Sequence, residues 1–388
     1  MPTLFERISQ SAYMPTARTT LMVSLFLLLV MSLLMIISAS VPVAIKYGMP
    51  ELRFFWMQLL YIGIGGTAAY VVYRLPLNLY FKFPVLVCAW VVIVFLLLLT
   101  LLVADKINGS RRWLDLGFFN LQTAEFTKIL MVLVISDYVV RRSGEVRQNM
   151  WTSWKLLFWY TPVIGLFLLH PDFGSVAVVI ASASVVLFVS GVPKRDFFTF
   201  AGAVSVLIAV VVWLADYRRA RVLSYWNPFD DTSHRDFQLA RSLSAFARGE
   251  WNGVGYGNSI LKLSHLPEAH TDFLLSITGE ELGFFGVFFV LLLQALIIGA
   301  IMKISHSALK RRQLRLSYMV FGFGVVLFGQ VLINAGMAMG LLPPKGLTLP
   351  FYSFGGSSLL SVMIAVGIIL KVDKCSEQIH RDNKNREY

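Results

Sequence analysis

Charge is scarce in this chain. Charged residues occupy 14% of its 388 positions, where a soluble domain carries roughly a quarter. That shortage argues against a water-filled surface on all sides. Two cysteines exclude a disulfide framework. Cys88 falls in an apolar stretch and Cys375 in a polar tail. Several catalytic signatures are also missing: there is no HExxH, CxxC, GxSxG or P-loop. Covalent serine or cysteine chemistry is therefore not indicated. No internal repeat is visible, which weighs against a transporter built from inverted repeats.

Apolar residues, by contrast, fill 57% of the chain, and the mean hydropathy is +0.69. A bilayer core needs ~20 apolar residues per helix. Runs of that kind recur at 20–41, 54–73, 83–104, 124–140, 154–169, 175–191, 198–215, 273–301, 317–339 and 357–371. The expected fold is an all-α integral membrane protein, a polytopic bundle of about ten transmembrane helices with one long outer loop at 216–272. The first run is too long for the apolar core of a secretory signal and reads as a retained helix. Tails of 1–19 and 372–388 flank the membrane domain at 20–371.

The formal charge of +12 is asymmetric along this topology. With the N-terminus inside, the inner segments hold 20 Lys and Arg, and the short outer segments hold 6. Long loops cross regardless of charge, so this comparison sets both termini in the cytoplasm. The basic excess then lies against anionic lipid headgroups, and nucleic-acid binding is not needed to explain it. Within the long loop, Leu239, Leu243 and Phe246 recur at helical spacing beside Arg241 and Arg248. They predict a short amphipathic helix lying at the membrane interface.

Ionisable residues inside apolar spans are costly, so each is a candidate for function. Glu125 and Lys128 share one face of the fourth span and can pair, either to order the bundle or to act in a site. Asp272 opens the eighth span after Glu268, Ala269, His270 and Thr271, where it could simply cap the helix. Glu280 and Glu281, between Gly279 and Gly283, are expected to face an interior cavity or cap a broken helix. Residues 341–358 read LLPPKGLTLPFYSFGGSS. Such irregular backbone near membrane depth must be buried in protein or line a wet cavity. Lys345 is its one charge. Asp172 in HPDFGS reads as a turn residue or a helix cap, and Arg111 and Arg112 add cations suited to phosphate. In the expected topology these groups all fall on the outer side, and carboxylates with cations there suit a phosphate-bearing substrate.

Six motifs in this order resemble the SEDS family, the shape, elongation, division and sporulation proteins. They are GSRRWL (109–114), AEFTK (124–128), PDFGS (171–175), PEAHTDF (267–273), GEELGFFG (279–286) and PKGLTLPF with GGSS (344–351, 355–358). The wording is more similar to the division branch than to the elongation branch. Thr123, His170, Pro344 and Phe354 depart from the usual wording and bear on local loop geometry.

The resemblance implies a ten-helix peptidoglycan glycosyltransferase in the bacterial inner membrane, enriched at the division septum, that polymerises lipid II. Undecaprenyl diphosphate would leave as the anomeric centre inverts. It implies a class B penicillin-binding protein, the septal transpeptidase, and other divisome membrane proteins as partners, beside lipid II and membrane lipids. The family's essential aspartate falls on Asp272, its lysine near that aspartate on Lys128, and the lysine of the last outer loop on Lys345. Asp272 is then the expected catalytic base. Lys128, Lys345, Arg111, Arg112, Glu280, Glu281, His270 and Ser357 are the expected substrate-binding set. A divalent cation, Mg or Mn, bound mainly through substrate diphosphate would leave little trace in the sequence. A lipid II flippase and a non-catalytic scaffold for the transpeptidase are the alternative functions.

Overall fold

The computed structural model describes residues 16–105, 110–115, 117, 120–148, 155–195, 197–199, 202, 213, 237–263, 266–343 and 346–386. The expected span at 198–215 lies almost wholly outside these residues, as do tail positions 1–15, loop positions 216–236, and Pro344 and Lys345. The long helices are α1 (Ala17–Lys46), α2 (Arg53–Arg74), α3 (Phe83–Val103), α4 (Thr123–Arg141), α5 (Leu157–Leu169), α6 (Phe173–Val189), α7 (Phe237–Gly249), α8 (Leu274–Lys310), α9 (Leu314–Ala338) and α10 (Gly356–Arg386). A two-residue antiparallel ladder pairs Leu114 with Leu121 just before α4.

Six of these helices are long and apolar enough to cross a membrane, and α5 and α6 are shorter apolar helices. Helix α4 joins them structurally, although Glu125, Lys128, Asp137 and Arg141 lower its hydropathy. The protein is a multi-pass membrane protein.

Burial sorts the helices. Helix α4 is buried along almost its whole length, and α9 and α10 are more buried than α2 and α3. Helix α10 packs on α2, α8 on α1 and α9, and α9 on α4 and α6. The outer helices α2 and α3 expose Trp56, Leu60, Phe95 and Leu102, as side chains facing lipid should.

One end of the bundle gathers the helix starts and ends that the charge count placed together. Arg18 at the start of α1 pairs with Asp373 late in α10 at 2.7 Å, and Arg315 at the start of α9 approaches Asp137 near the end of α4 at 3.5 Å. The loops carrying the sequence motifs meet at the opposite end.

Two features of that end bear on the sequence reading: one departs from it, and the other is the broken helix that Glu280 and Glu281 between glycines suggest. Helix α7 forms as its spacing predicts, but its apolar face is covered by protein. Leu239, Ala240 and Ala245 are buried, Leu243 stands against Gly340, and the Phe246 ring lies against Gly279. Ser242 bonds both Ser276 and the Ala338 carbonyl at 2.6 Å. A Cβ on Gly249 would fall inside the Gly279 carbonyl, so this contact needs glycine. Helix α8 is also interrupted. Gly283 takes φ 66°, ψ −161°, a conformation available to glycine and costly for other residues. The chain after α7 fills the break. Phe284 N donates to the Glu250 carbonyl at 2.9 Å, and the Glu280 and Glu281 carbonyls accept from Val254 and Gly255 at 3.0 and 3.1 Å. Backbone groups freed within a span must find such partners.

The irregular loop before α10 is indeed buried in protein. Leu347, Leu349, Phe351 and Tyr352 are all but inaccessible. Tyr352 bonds Thr278 through its hydroxyl at 2.6 Å, and Gln294 donates to the Pro350 carbonyl at 2.6 Å.

Candidate active site at the loop end of the bundle

Asp272 sits in a tight turn just outside α8. Glu268 adopts φ 54° there, and its carbonyl accepts from Thr271 and Phe273 at 3.2 Å. The helix cap position is Phe273, with no side-chain cap bond. The Asp272 carboxyl is therefore not consumed by capping, contrary to the plain expectation for an aspartate opening a helix. Its residue keeps some solvent contact, yet the surrounding protein pushes its pKa up to about 7. Burial is the main cause. Glu268 raises the value further, and Arg112 draws it back.

Arg112 reaches the same place from the loop before α4. Its Nη2 donates to the Pro171 carbonyl at 2.5 Å, and its buried Nε has no hydrogen-bond partner. Gly346 lies between the two charged groups. A Cβ placed there would stand 3.3 Å from Arg112 Nη1 and 3.3 Å from Asp272 Oδ2. Arg111 is turned elsewhere, donating to the Leu101 carbonyl at 2.8 Å. Asp172 caps α6 as expected, accepting from Ser175 N at 3.2 Å and Ser175 Oγ at 2.8 Å. The next residue but one, Gly174, presses on Leu347, joining the PDFGS turn to the last loop.

His270 stands beside Asp272 in sequence but is held by aromatic rings, with Phe54 at 4.8 Å and Phe354 at 5.7 Å between centroids. Burial keeps its imidazole below the ordinary value, and Glu268 opposes that shift.

The remaining expected residues are not all brought to Asp272. Lys128 donates to Glu125 Oε1 at 2.6 Å, and both side chains are fully enclosed. Gln330 donates to Glu125 Oε2 at 3.3 Å and Ser361 approaches it at 3.5 Å. Among the described residues the charged groups bearing on the Asp272 carboxyl are Glu268 and Arg112; Lys128 is paired instead with Glu125. A buried cation needs a matched anion, and Glu125 supplies it.

Glu280 and Glu281 also depart from the substrate-binding expectation. Glu280 pairs with Arg248 at 2.9 Å, accepts from Ile260 N at 3.0 Å, and takes a bond from Ser259 Oγ. Glu281 pairs with Lys262 at 2.7 Å and accepts from Ser38 at 2.6 Å. Every carboxylate oxygen is engaged by the outer loop or by α1. These residues fasten the loop onto the broken helix: Lys262 is buried with Glu281, while Arg248 reaches Glu280 from an exposed position. Ser357 is likewise occupied, accepting from Gln122 N at 2.9 Å and donating to the Asn120 carbonyl at 2.8 Å. It ties the start of α10 to the loop before α4. Lys345 lies outside the described residues, next to Gly346.

Asn334 escaped the sequence reading. Fully buried in α9, it donates to the backbone carbonyls of Asp272 at 2.9 Å and Leu347 at 2.7 Å. An amide side chain inside an otherwise apolar span was the available signal.

Fold and site together define a multi-pass membrane protein with an acid–cation pair where several loops converge at one end. The family model for the FtsW, RodA and SpoVE cell cycle proteins matches residues 18–378, and the chain belongs to that family. It is 38% identical to the probable peptidoglycan glycosyltransferase FtsW of Acinetobacter baylyi, over 96% of this chain and 93% of that one. The same-named protein of Pasteurella multocida is 36% identical, over 91% and 89%. Among solved structures, a chain from a peptidoglycan synthase complex that coordinates polymerization and crosslinking superposes with TM-score 0.72 at 29% identity, over 90% of this chain and 98% of that chain. The Thermus thermophilus rod shape determining protein RodA superposes with TM-score 0.66 at 26% identity, over 91% and 95%.

Proposed function

We propose that this protein is a peptidoglycan glycosyltransferase that polymerises lipid II into glycan strands at the division septum, with Asp272 as its general base. The observation that carries this reading is the pairing across Gly346: a carboxyl left free of helix capping, facing a guanidinium at the mouth of a membrane bundle. Close relatives named as glycosyltransferases support the reaction class.

The acceptor's 4-hydroxyl attacks the anomeric carbon of the lipid-linked donor. Asp272 takes the hydroxyl proton as the new C–O bond forms. The bond to undecaprenyl diphosphate breaks on the opposite face, so the centre inverts. A base with a pKa near the working pH combines availability with proton affinity, and Asp272 at about 7 has that character. Arg112 bears on the departing diphosphate, since an oriented cation in a poorly hydrated site stabilises developing negative charge. No group of three or more His, Cys, Asp or Glu side chains gathers among the described residues. A divalent cation would therefore draw most of its ligands from substrate diphosphate oxygens, and no step here is assigned to it.

The site end faces the periplasm of a bacterial inner membrane, with both termini in the cytoplasm. The positive-inside count supports that orientation. A class B penicillin-binding protein is the crosslinking partner. The test is glycan-chain synthesis from purified lipid II with that partner, wild type beside Asp272→Asn. Polymer from wild type and none from the folded variant is the expected result. Equal polymer from both removes Asp272 from the chemistry. No polymer from either, with lipid II crossing vesicle membranes, makes the protein a flippase.

A further inference from the structure

Helix α9 carries Gln330 and Asn334 one turn apart, both essentially without solvent contact. An amide in such a position is costly unless its hydrogen bonds are made. Asn334 Nδ2 makes two, to the carbonyls of Asp272 at 2.9 Å and Leu347 at 2.7 Å. Those carbonyls belong to the two loops that form the acid–cation pair. Asp272 is in one, and Gly346, where an added Cβ would stand 3.3 Å from both charged groups, immediately precedes Leu347 in the other.

The Asp272 turn has few other restraints. Its internal bonds run to the Glu268 carbonyl, and its neighbour His270 accepts from Phe354 N at 3.1 Å. Among the described residues the bond from Asn334 is the one made at the Asp272 carbonyl, and a side-chain substitution can remove it. On the next turn of α9, Gln330 holds the Glu125–Lys128 pair by a bond of 3.3 Å. One helix face thus supports both ionic layers.

We propose that Asn334 is a positioning residue. Its bridging amide fixes the Asp272 backbone against the Gly346–Leu347 loop, and so sets the depth of the carboxyl and its separation from Arg112. This rests on the reading of Asp272 as the general base. Among the described residues the charged groups facing that carboxyl are Glu268 and Arg112, with the His270 imidazole, lowered in pKa by burial, beside it. None of them is touched by changing Asn334.

Asn334→Leu deletes the donor at similar volume. Asn334→Ser retains one short donor and room for water, and serves if the leucine variant does not fold. Two measurements decide. In lipid II polymerisation, kcat falls on the order of 10²-fold while KM stays near wild type, as for a displaced reacting group. The acid limb of the rate profile also moves to lower pH by about half a unit or more, because a loosened carboxyl gains water. A residue that merely supports the fold lowers activity equally at every pH, and an unmoved limb overturns the proposal. The second measurement needs no turnover. Asp272→Asn is introduced into wild type and into the Asn334 variant, and melting temperatures are compared at pH 5.5 and 8.5. The alkaline gain from Asp272→Asn shrinks in the Asn334 variant if the amide holds the carboxyl in place, and an undiminished gain overturns the proposal. Absence of polymer from wild type would refute the glycosyltransferase reading, while the melting comparison still decides whether Asn334 controls Asp272.

Discussion

Asp272→Asn should destroy activity and stabilise the fold, and the stabilisation should depend on pH. The carboxyl has an ordinary value of 3.8 and stands at about 7 in the folded protein. A raised carboxyl pKa means that the folded state holds its proton more tightly than the unfolded chain. Ionisation therefore opposes folding. The cost is absent below pH 3.8, grows between 3.8 and about 7, and is constant above that. One pKa unit corresponds to about 1.4 kcal/mol, so the full cost is about 4 kcal/mol. Asparagine has the same shape and cannot ionise. Its advantage over wild type should grow by about 2 kcal/mol between pH 5.5 and pH 8.5, and level off above pH ~7.5. Partial solvent contact at Asp272 makes these values upper figures. The assay is thermal unfolding of the purified protein in detergent at a series of pH values, each read as the variant minus wild type. A gain independent of pH, or an asparagine variant less stable at pH 8.5, would refute the account of this carboxyl.

Glu268→Gln removes a neighbouring negative charge and should move the acid limb of the polymerisation profile to lower pH. Arg112→Gln removes the opposing cation, so the limb should move to higher pH, with kcat reduced by the loss of leaving-group stabilisation; a shift of both variants in one direction would contradict the assignment. Gly346→Ala inserts a methyl 3.3 Å from both charged groups, and should cut turnover at least tenfold, about 1.4 kcal/mol of barrier, with little change in melting temperature. Lys262→Met strands the buried Glu281 carboxylate and should cost about 3–5 kcal/mol. Lys262→Met with Glu281→Gln should recover part of that loss, as thermal unfolding of the two variants beside wild type would record.

The comparison of sequence and structure divides along physical lines. Membrane spans were legible because the bilayer sets a length and a polarity that each helix must meet by itself. Helix α7 was legible from its period, and Asp172 as a cap from its place before an apolar run. The motif order pointed to Asp272 and Arg112, and the structure places them on either side of Gly346. What covers each apolar face depends on the rest of the chain, so α7 could be placed against lipid by its pattern and against α8 only by the fold.

By itself, the sequence determined that the chain crosses a membrane many times, that its cations crowd the segments of one side, and that ionisable groups sit where they are expensive. Glu125 and Lys128 could be paired from their spacing, but tertiary structure decided how the groups far apart in the chain are matched. Glu125 neutralises Lys128, Lys262 and Arg248 neutralise Glu281 and Glu280, and among the described residues Asp272 has Arg112 as its opposing charge across a glycine. The reason is that Coulomb energy and desolvation depend on separation and surroundings in space. Apart from Glu125 and Lys128, one helical turn apart, the partners lie from 19 to hundreds of positions apart along the chain, as in the bond from Gln330 to Glu125 across 205 residues.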